Sequence, residues 1–335
     1  LNTQVAIVGA GPTGLTLSLQ LAQQGIAVTL IDAAPNLRRV FRGEALMPSG
    51  LQAIAQLGLA EVVTQIPHRA LDTWAFYLEK RPLFQVKEPL EPGGQPCTLI
   101  SQPAFLEAVL AKASQYAHFV AIQGTAVQDL LWQAGRVSGV QLSDGRRIQA
   151  DLVIGADGRM STVRQRADLG LEQQPQGFDI LWFKLPSAPQ FAPENVFYSM
   201  VCGRDAFGCF QGAEGNLQLG WSLYEDDPLD WRQIDWAEKL AAVSPAALAA
   251  HFREHRQAIE RPLLLSIVVG QAPLWHRPGL LILGDAAHPM SPIRAQGINM
   301  ALRDVIVAVN HLLPCLRQQP GNLTHLDAVL PLIQT

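Results

Sequence analysis

Residues 5–14 read Val-Ala-Ile-Val-Gly-Ala-Gly-Pro-Thr-Gly, and residues 28–32 read Val-Thr-Leu-Ile-Asp. The first four apolar residues predict a buried strand. Gly9-Ala10-Gly11-Pro12-Thr13-Gly14 predicts a tight turn into a helix, whose apolar periodicity runs to Gly25 before a second strand ends on Asp32. Each glycine has a physical task. Gly9 allows the sharp turn off the strand, Gly11 lets a pyrophosphate approach the backbone, and Gly14 lets the helix pack closely on the strand. Pro12 and Thr13 complete the turn. The helix start offers N–H groups and a positive dipole end to phosphates. Asp32 follows Gly14 by 18 residues, a spacing suited to an acid that binds a ribose hydroxyl. The stretch reads as a dinucleotide site; the plainer alternative is a glycine turn in an ordinary α/β unit. Which dinucleotide it holds is not written in these residues.

The 335-residue chain is long enough for two domains. With 48% hydrophobic and 16% charged residues it is expected to be globular rather than disordered. A net charge of −4 gives no global attraction to nucleic acid or to anionic membranes. The basic clusters at Arg38, Arg39 and Arg42 and at Arg146 and Arg147 read as solvated faces, although the first lies just past the dinucleotide unit. Cys97, Cys202, Cys209 and Cys315 form no C-x-x-C pair, so free thiols are expected, with no zinc or other metal site. No apolar run reaches the roughly 18 residues of a spanning helix, and the chain enters a strand almost at once. A cytoplasmic protein without an integral membrane segment is therefore expected, with a small-molecule substrate and no nucleic-acid partner.

Pro48 opens a short helix that Gly58 ends, and residues 71–86 alternate like strands. Residues 88–96 read as a loop, and Ser101 as the N-cap of a helix with Pro103 in its first turn. Strands are expected at 119–123, 125–132, 136–142 and 146–150, the last two joined by an Asp144-Gly145 turn. Residues 151–154 form another strand. A second strand-rich region covers 178–184, 195–201, 206–211 and 216–223, with antiparallel pairing expected because the connections are too short for crossover helices. Residues 231–255 read as helical with a break at Pro245. Strands follow at 263–269 and 280–283, then a helix over 299–313.

Two later motifs bear on the first. Gly155-Ala156-Asp157-Gly158 closes a strand and leads to Arg164; alone it reads equally as a turn with a helix cap. Gly284-Asp285-Ala286-Ala287-His288 follows a very apolar strand. Asp285 can meet a ribose or ribityl hydroxyl, or cap a helix. Pro292-Ile293-Arg294-Ala295-Gln296-Gly297-Ile298-Asn299 then enters the last helix, whose first N–H groups can stabilise a negatively charged ring edge. His288 reads as a structural histidine.

In this order and at these separations the three motifs resemble those of the flavoprotein aromatic hydroxylases, the single-component FAD monooxygenases typified by para-hydroxybenzoate hydroxylase and the ubiquinone-biosynthesis hydroxylases. The resemblance runs from the first strand to about residue 313. It implies an α/β fold: a Rossmann-type FAD-binding domain with an inserted, mainly antiparallel substrate domain. We divide the chain into an FAD unit (1–66, 101–172 and 273–335) and a substrate unit (67–100 and 173–272). The resemblance places the FAD pyrophosphate at Gly9, Gly11 and Gly14 and the adenosine ribose at Asp32, where Glu is commoner. It implies flavin contact at Arg42 and cofactor contact at Gln102. Asp157 and Gly158, completed by Arg164, are implied in FAD and NAD(P)H binding. Gly284 and Asp285 would hold the ribityl chain, Pro292 would lie near the flavin, and Gly297, Ile298 and Asn299 under its pyrimidine edge.

Two features depart from the family. Its loop usually carries Gly where this chain has Arg294; a positive φ there would strain Arg294, and its side chain could instead meet the flavin or an acidic substrate. The sequence also stops earlier than most members, so the terminal helices that often close the substrate cavity are expected to be missing or shortened. The implied cycle is reduction of FAD by NADH or NADPH, uptake of dioxygen, and transfer of one oxygen from a C4a-hydroperoxide to a small aromatic or related substrate. Pro292 and Arg294 are the candidate catalytic residues, and no base is assignable. Competing readings are a flavin reductase or saturase, a halogenase, and a flavin-binding protein with impaired turnover.

Overall fold

The computed structural model describes residues 1–38, 44–188, 191, 193–226, 230–259, 261–318 and 321–334, apart from the side chains of Arg294 and Gln318. Arg42 lies outside the described residues.

The N-terminal unit is β1 (Asn2–Val8), α1 (Pro12–Gln23) and β2 (Val28–Asp32). Its strands read as unbroken apolar runs because both faces are covered. β1 lies at the centre of a parallel array, between β2 and the strand Arg147–Gly155, with Phe119–Gln123 beyond β2 and Leu280–Ile282 beyond Arg147–Gly155. Residues 146–154, expected as two short strands, form one. Its first half pairs antiparallel with Arg136–Leu142 and its second half parallel with Leu280–Ile282. Helices α1, Gln102–Ala113 and Gly297–Gln318 supply Leu15, Leu19, Phe105, Leu106, Leu302 and Val305 to one continuous core.

A second, seven-stranded sheet contains Phe178–Leu185, Leu217–Tyr224, Asp205–Gln211 and Val196–Cys202 as antiparallel neighbours. The antiparallel pairing expected among these four strands is found, and the sheet extends beyond them. Val196–Cys202 runs parallel to Thr73–Leu78, because that strand arrives from a distant part of the chain. The hairpin Thr73–Leu78 with Arg81–Lys87 forms the sheet edge. One face of this sheet packs Leu181, Phe183, Leu219 and Trp221 against the helices Trp236–Ala242 and Ala246–Glu254. Residues 231–235, expected to be helical, precede the first of these helices. Residues 263–269 form two short strands, Leu263–Leu265 and Val269–Gln271, in different sheets. The last expected helix is longer than its sequence pattern, Gly297–Gln318, and another follows at Leu323–Gln334. The protein is thus a mixed α/β fold whose glycine turns gather at one edge of the parallel sheet.

Candidate FAD site

The carboxyl ends of three neighbouring parallel strands meet at the glycine turns. Ala156 N–H donates to Val8 O (2.7 Å), and Leu283 N–H to Gly155 O (2.9 Å), lacing the turns together. Ligands in open α/β sheets bind at this edge. Here it opens into a cavity of about 580 Å³ bordered by all three turns, by Gln102 and by the start of Gly297–Gln318.

The three glycines of the first turn differ as their spacing implies. Gly9 has φ +106°, and a Cβ on it would lie 2.2 Å from Ala156 O. A Cβ on Gly14 would lie 1.9 Å from Gly9 O. Gly11 borders the cavity and has nothing within 4 Å of a Cβ position. Gly9 and Gly14 therefore serve the fold, and Gly11 leaves backbone open to a ligand. The first bond of α1 joins Leu15 N–H to Gly11 O, which leaves the N–H groups of Thr13 and Gly14 ahead of the ladder. Asp32 is buried; it accepts from Ala10 N–H (2.6 Å) and Ala34 N–H (2.7 Å), which holds the turn in shape, and it also borders the cavity.

At the middle turn the structure favours the capping role for the Asp157 carboxylate. Ser161 Oγ donates to Oδ1 (2.5 Å) and Val163 N–H to Oδ2 (3.0 Å), while Ser161 itself caps the helix Thr162–Arg166. Burial raises the Asp157 pKa against these hydrogen bonds. Asp157 and Gly158 still border the cavity. Arg164 does not: its buried guanidinium donates to Ala286 O (2.7 Å) and Arg159 O (2.9 Å), tying the middle turn to the third.

Gly284, with φ +60°, brings its backbone against Thr13, where a Cβ would lie 2.4 Å from Oγ1. Asp285 is exposed into the cavity; the surrounding protein desolvates it and raises its pKa, partly offset by the charges of His288 and Arg159. His288 meets a different acid from the one beside it in sequence. Its Nε2 lies 2.7 Å from Asp304 Oδ2, which also accepts from Gly284 N–H. Burial opposes its charge, but Asp304 and Asp285 outweigh burial and raise its pKa. This is a structural histidine that fixes the third turn.

Pro292 borders the cavity and opens a single 3-10 turn that ends at Arg294. The left-handed residue is Ala295, with φ +50°, so the strain expected at Arg294 falls one position later. Gly297 and Ile298 border the cavity at a helix start whose first bond joins Met300 N–H to Gln296 O. The Asn299 side chain is turned away and fully buried. Its Oδ1 accepts from Met47 N–H (2.9 Å), and its Nδ2 donates to Ala45 O (3.1 Å) and Ala295 O (2.6 Å). Gln102 borders the cavity as the first residue of a helix capped by Ser101. Motif reading missed Arg159, Met160, Leu265, Ile267 and Ser291, all on the cavity wall. Arg159 sits inside a quoted motif, whereas Leu265 and Ile267 lie in a short apolar run that carries no motif.

These residues suit a long, anion-bearing cofactor with a polar chain. Gly11, Gly158 and Gly297 leave open space where a side chain would stand, Asp285 has no hydrogen-bond partner among the described residues, and two helix starts flank the cavity. Among the described residues no cluster of three His, Cys, Asp or Glu could hold a metal ion, and no helix is long and apolar enough to cross a membrane.

Residues 2–327 match the FAD binding domain family. The chain belongs to this family. Over 340 residues it is 33% identical to 6-methylpretetramide 4-monooxygenase of Streptomyces rimosus, an alignment covering 98% of this chain and 79% of that protein. It is 29% identical to 3-demethoxyubiquinol 3-hydroxylase of Escherichia coli, covering 92% and 79%. The fold is that of the probable FAD-dependent monooxygenase PqsL of Pseudomonas aeruginosa, with TM-score 0.85 at 22% identity over 100% of this chain and 91% of that one. This FAD binding domain protein is an FAD-dependent oxidoreductase whose relatives are monooxygenases and hydroxylases of aromatic compounds.

Proposed function

We propose that this chain hydroxylates an aromatic substrate with FAD, NADH or NADPH, and dioxygen. The observation that carries the reading is the joining of three glycine turns, the cavity-exposed carboxylate of Asp285 and the helix start at Gly297 around one cavity. Bound FAD would supply the redox and oxygen-activating chemistry; the protein supplies binding, orientation and dryness.

The Gly9–Gly14 turn and the start of α1 would hold the pyrophosphate, and Asp32 would accept from the adenosine ribose. Asp285, exposed into the cavity, would accept from ribityl hydroxyls. The N–H groups at the helix start Gly297, Ile298 and Asn299 would stabilise a negatively charged edge of the flavin ring. Pro292 and Ala295, which border the cavity, would lie near the flavin ring. The substrate enters from the side of the seven-stranded sheet, which makes residues 67–100 and 173–272 the substrate unit. A second glycine fingerprint for nicotinamide is absent from the sequence, in keeping with transient docking of NAD(P)H. Relatives bearing the names 6-methylpretetramide 4-monooxygenase and 3-hydroxybenzoate 6-hydroxylase support an aromatic substrate.

The test is anaerobic reduction of the FAD-loaded protein by NADH and NADPH, with and without a panel of phenols, quinols and indoles. At least one compound is expected to accelerate reduction tenfold or more. If none accelerates reduction and none is oxygenated in air, the reading is contradicted.

A further inference from the structure

One side chain joins the middle glycine turn to the seven-stranded sheet. Leu263–Leu265 is an edge strand of that sheet, paired with Phe178–Leu185, and Ser266 is the first residue beyond it. Arg159, next after Gly158, donates from Nη1 to Ser266 O (2.8 Å). It thereby reaches the segment whose residues Leu265, Ile267 and Val268 border the cavity. Both ends of the contact are pinned. Arg164 Nη2 donates to Arg159 O (2.9 Å), and Ile267 N–H donates to Asp179 Oδ1 (2.9 Å).

Arg159 is the one cation among the described side chains that border the cavity. A guanidinium presents its N–H donors in a planar fork. Here one donor bonds Ser266 O; the rest are not buried and meet no other described residue. The three acids on the cavity wall leave this cation available. Asp32 and Asp157 hold their own turns through backbone and hydroxyl donors. Desolvation raises the pKa of Asp285, and the charges of His288 and Arg159 oppose the rise, but Asp285 and Arg159 form no ion pair. The wall thus carries a half-buried guanidinium with spare donors.

Its neighbours on the wall set the shape of the ligand. Leu265, Ile267 and Val268 flank Ser266, and Met160 follows Arg159 in the chain; all four are apolar and border the cavity. One positive charge beside apolar side chains matches a flat ring with one negative charge. A carboxylate can take two parallel N–H bonds from such a fork. A pyrophosphate matches less well, because a lone cation leaves part of its charge unpaired and the start of α1 already offers phosphates a site.

We propose that Arg159 binds a carboxylate borne on the aromatic substrate and holds it where the middle turn meets the seven-stranded sheet. The proposal rests on the hydroxylase reading and names its substrate class, aromatic acids.

The probes are 3-hydroxybenzoate and 4-hydroxybenzoate, each paired with its neutral amide. They are titrated into the FAD-loaded protein and followed by perturbation of the flavin absorption spectrum. At least one acid is expected to bind about tenfold more tightly than its amide. Arg159→Met keeps the length of the side chain and removes its charge and donors. It is expected to abolish most of that preference while amide binding and FAD affinity stay within about twofold. Arg159→Lys keeps the charge without the fork and is expected to retain part of the preference. The proposal is overturned if neither acid outbinds its amide in the unmodified protein, if neither pair perturbs the flavin, or if Arg159→Met leaves the preference in place. In the last case weaker FAD binding, or a raised KM for NADPH, would assign the guanidinium to a phosphate instead. The comparison in the unmodified protein decides the matter even where a variant misfolds. If the protein refuses FAD, the hydroxylase reading falls as well. If it takes FAD and only the amides accelerate NAD(P)H oxidation, the carboxylate site alone falls.

Discussion

At the scale of single residues the three glycines of the first turn make separable predictions. Gly11→Val adds a side chain into open space at a non-strained position. Thermal unfolding of the FAD-free protein should change little, within about 0.5 kcal/mol, while FAD affinity, read by quenching of flavin fluorescence, falls at least tenfold. Gly14→Val drives a side chain into Gly9 O, and overpacking of this kind costs about 1–3 kcal/mol or more, so the FAD-free protein itself should melt earlier. Equal losses of stability in both variants would contradict the assignment. Asp285→Asn removes a charged acceptor worth about 1.5–3 kcal/mol in hydrogen bonds. Its FAD dissociation constant should rise roughly ten- to hundredfold, and an unchanged constant would place the ribityl chain elsewhere. The roles of Gly9, Gly11 and Gly14 were legible because each follows from local backbone geometry. The capping role of Asp157 was one of two readings open in the sequence, and the role of Arg164 was not legible. Asp157 serves a helix start a few residues on, and Arg164 serves Ala286, far away in sequence. The Arg164 partner in particular is set by the packing of one turn on another, which spacing does not report.

At the scale of elements, the parallel unit could be read from its apolar runs, and the Asp144-Gly145 hairpin from its turn chemistry, with Gly145 at φ +87°. The parallel pairing of Thr73–Leu78 with Val196–Cys202 could not, because alternation gives a strand its faces but not its partner. The entry to Gly297–Gln318 shows a second limit. Asn299 belongs to a recognised motif, yet its side chain bonds Met47, Ala45 and Ala295, joining this helix to the segment around Pro48–Gln56. Gly50 lies so close that a Cβ on it would stand 1.8 Å from Asn299 Oδ1. Asn299→Ala leaves one buried donor and two acceptors without these partners, at about 1–3 kcal/mol for each unsatisfied group before relaxation. We expect a clear loss of thermal stability together with weaker FAD binding, since Ala295 and the helix start are released at once. Full stability in Asn299→Ala would contradict the tether.

At the scale of the molecule, burial raises the pKa values of Glu44, Asp157 and Asp285, and the Asp304 pair raises that of His288 against the opposing effect of its burial. All four groups bind protons more tightly when folded. Their contribution to stability is therefore fullest below the unfolded values and is lost as pH rises through the folded ones. For the carboxyls the loss begins above their ordinary values of 4.5 for Glu and 3.8 for Asp, and for His288 above 6.5. The carboxyls with lowered values, such as Asp144 and Asp226, are exposed and screened, and oppose this trend weakly. Glu44→Gln removes one member of the set. Its melting temperature relative to the unmodified FAD-free protein should rise as pH rises from about 5 to 8; a relative melting temperature that falls with pH would contradict the sign.

The central claim is that one cavity, built on three glycine turns and closed by the seven-stranded sheet, directs one atom of dioxygen into an aromatic ring. The most direct measurement is mass spectrometry of the product formed under ¹⁸O₂ from the FAD-loaded protein, NAD(P)H and the phenol that best accelerates reduction. The account predicts a hydroxylated product carrying one ¹⁸O atom. A product that draws its new oxygen from water, or NAD(P)H consumption yielding only hydrogen peroxide with every compound in the panel, would contradict it.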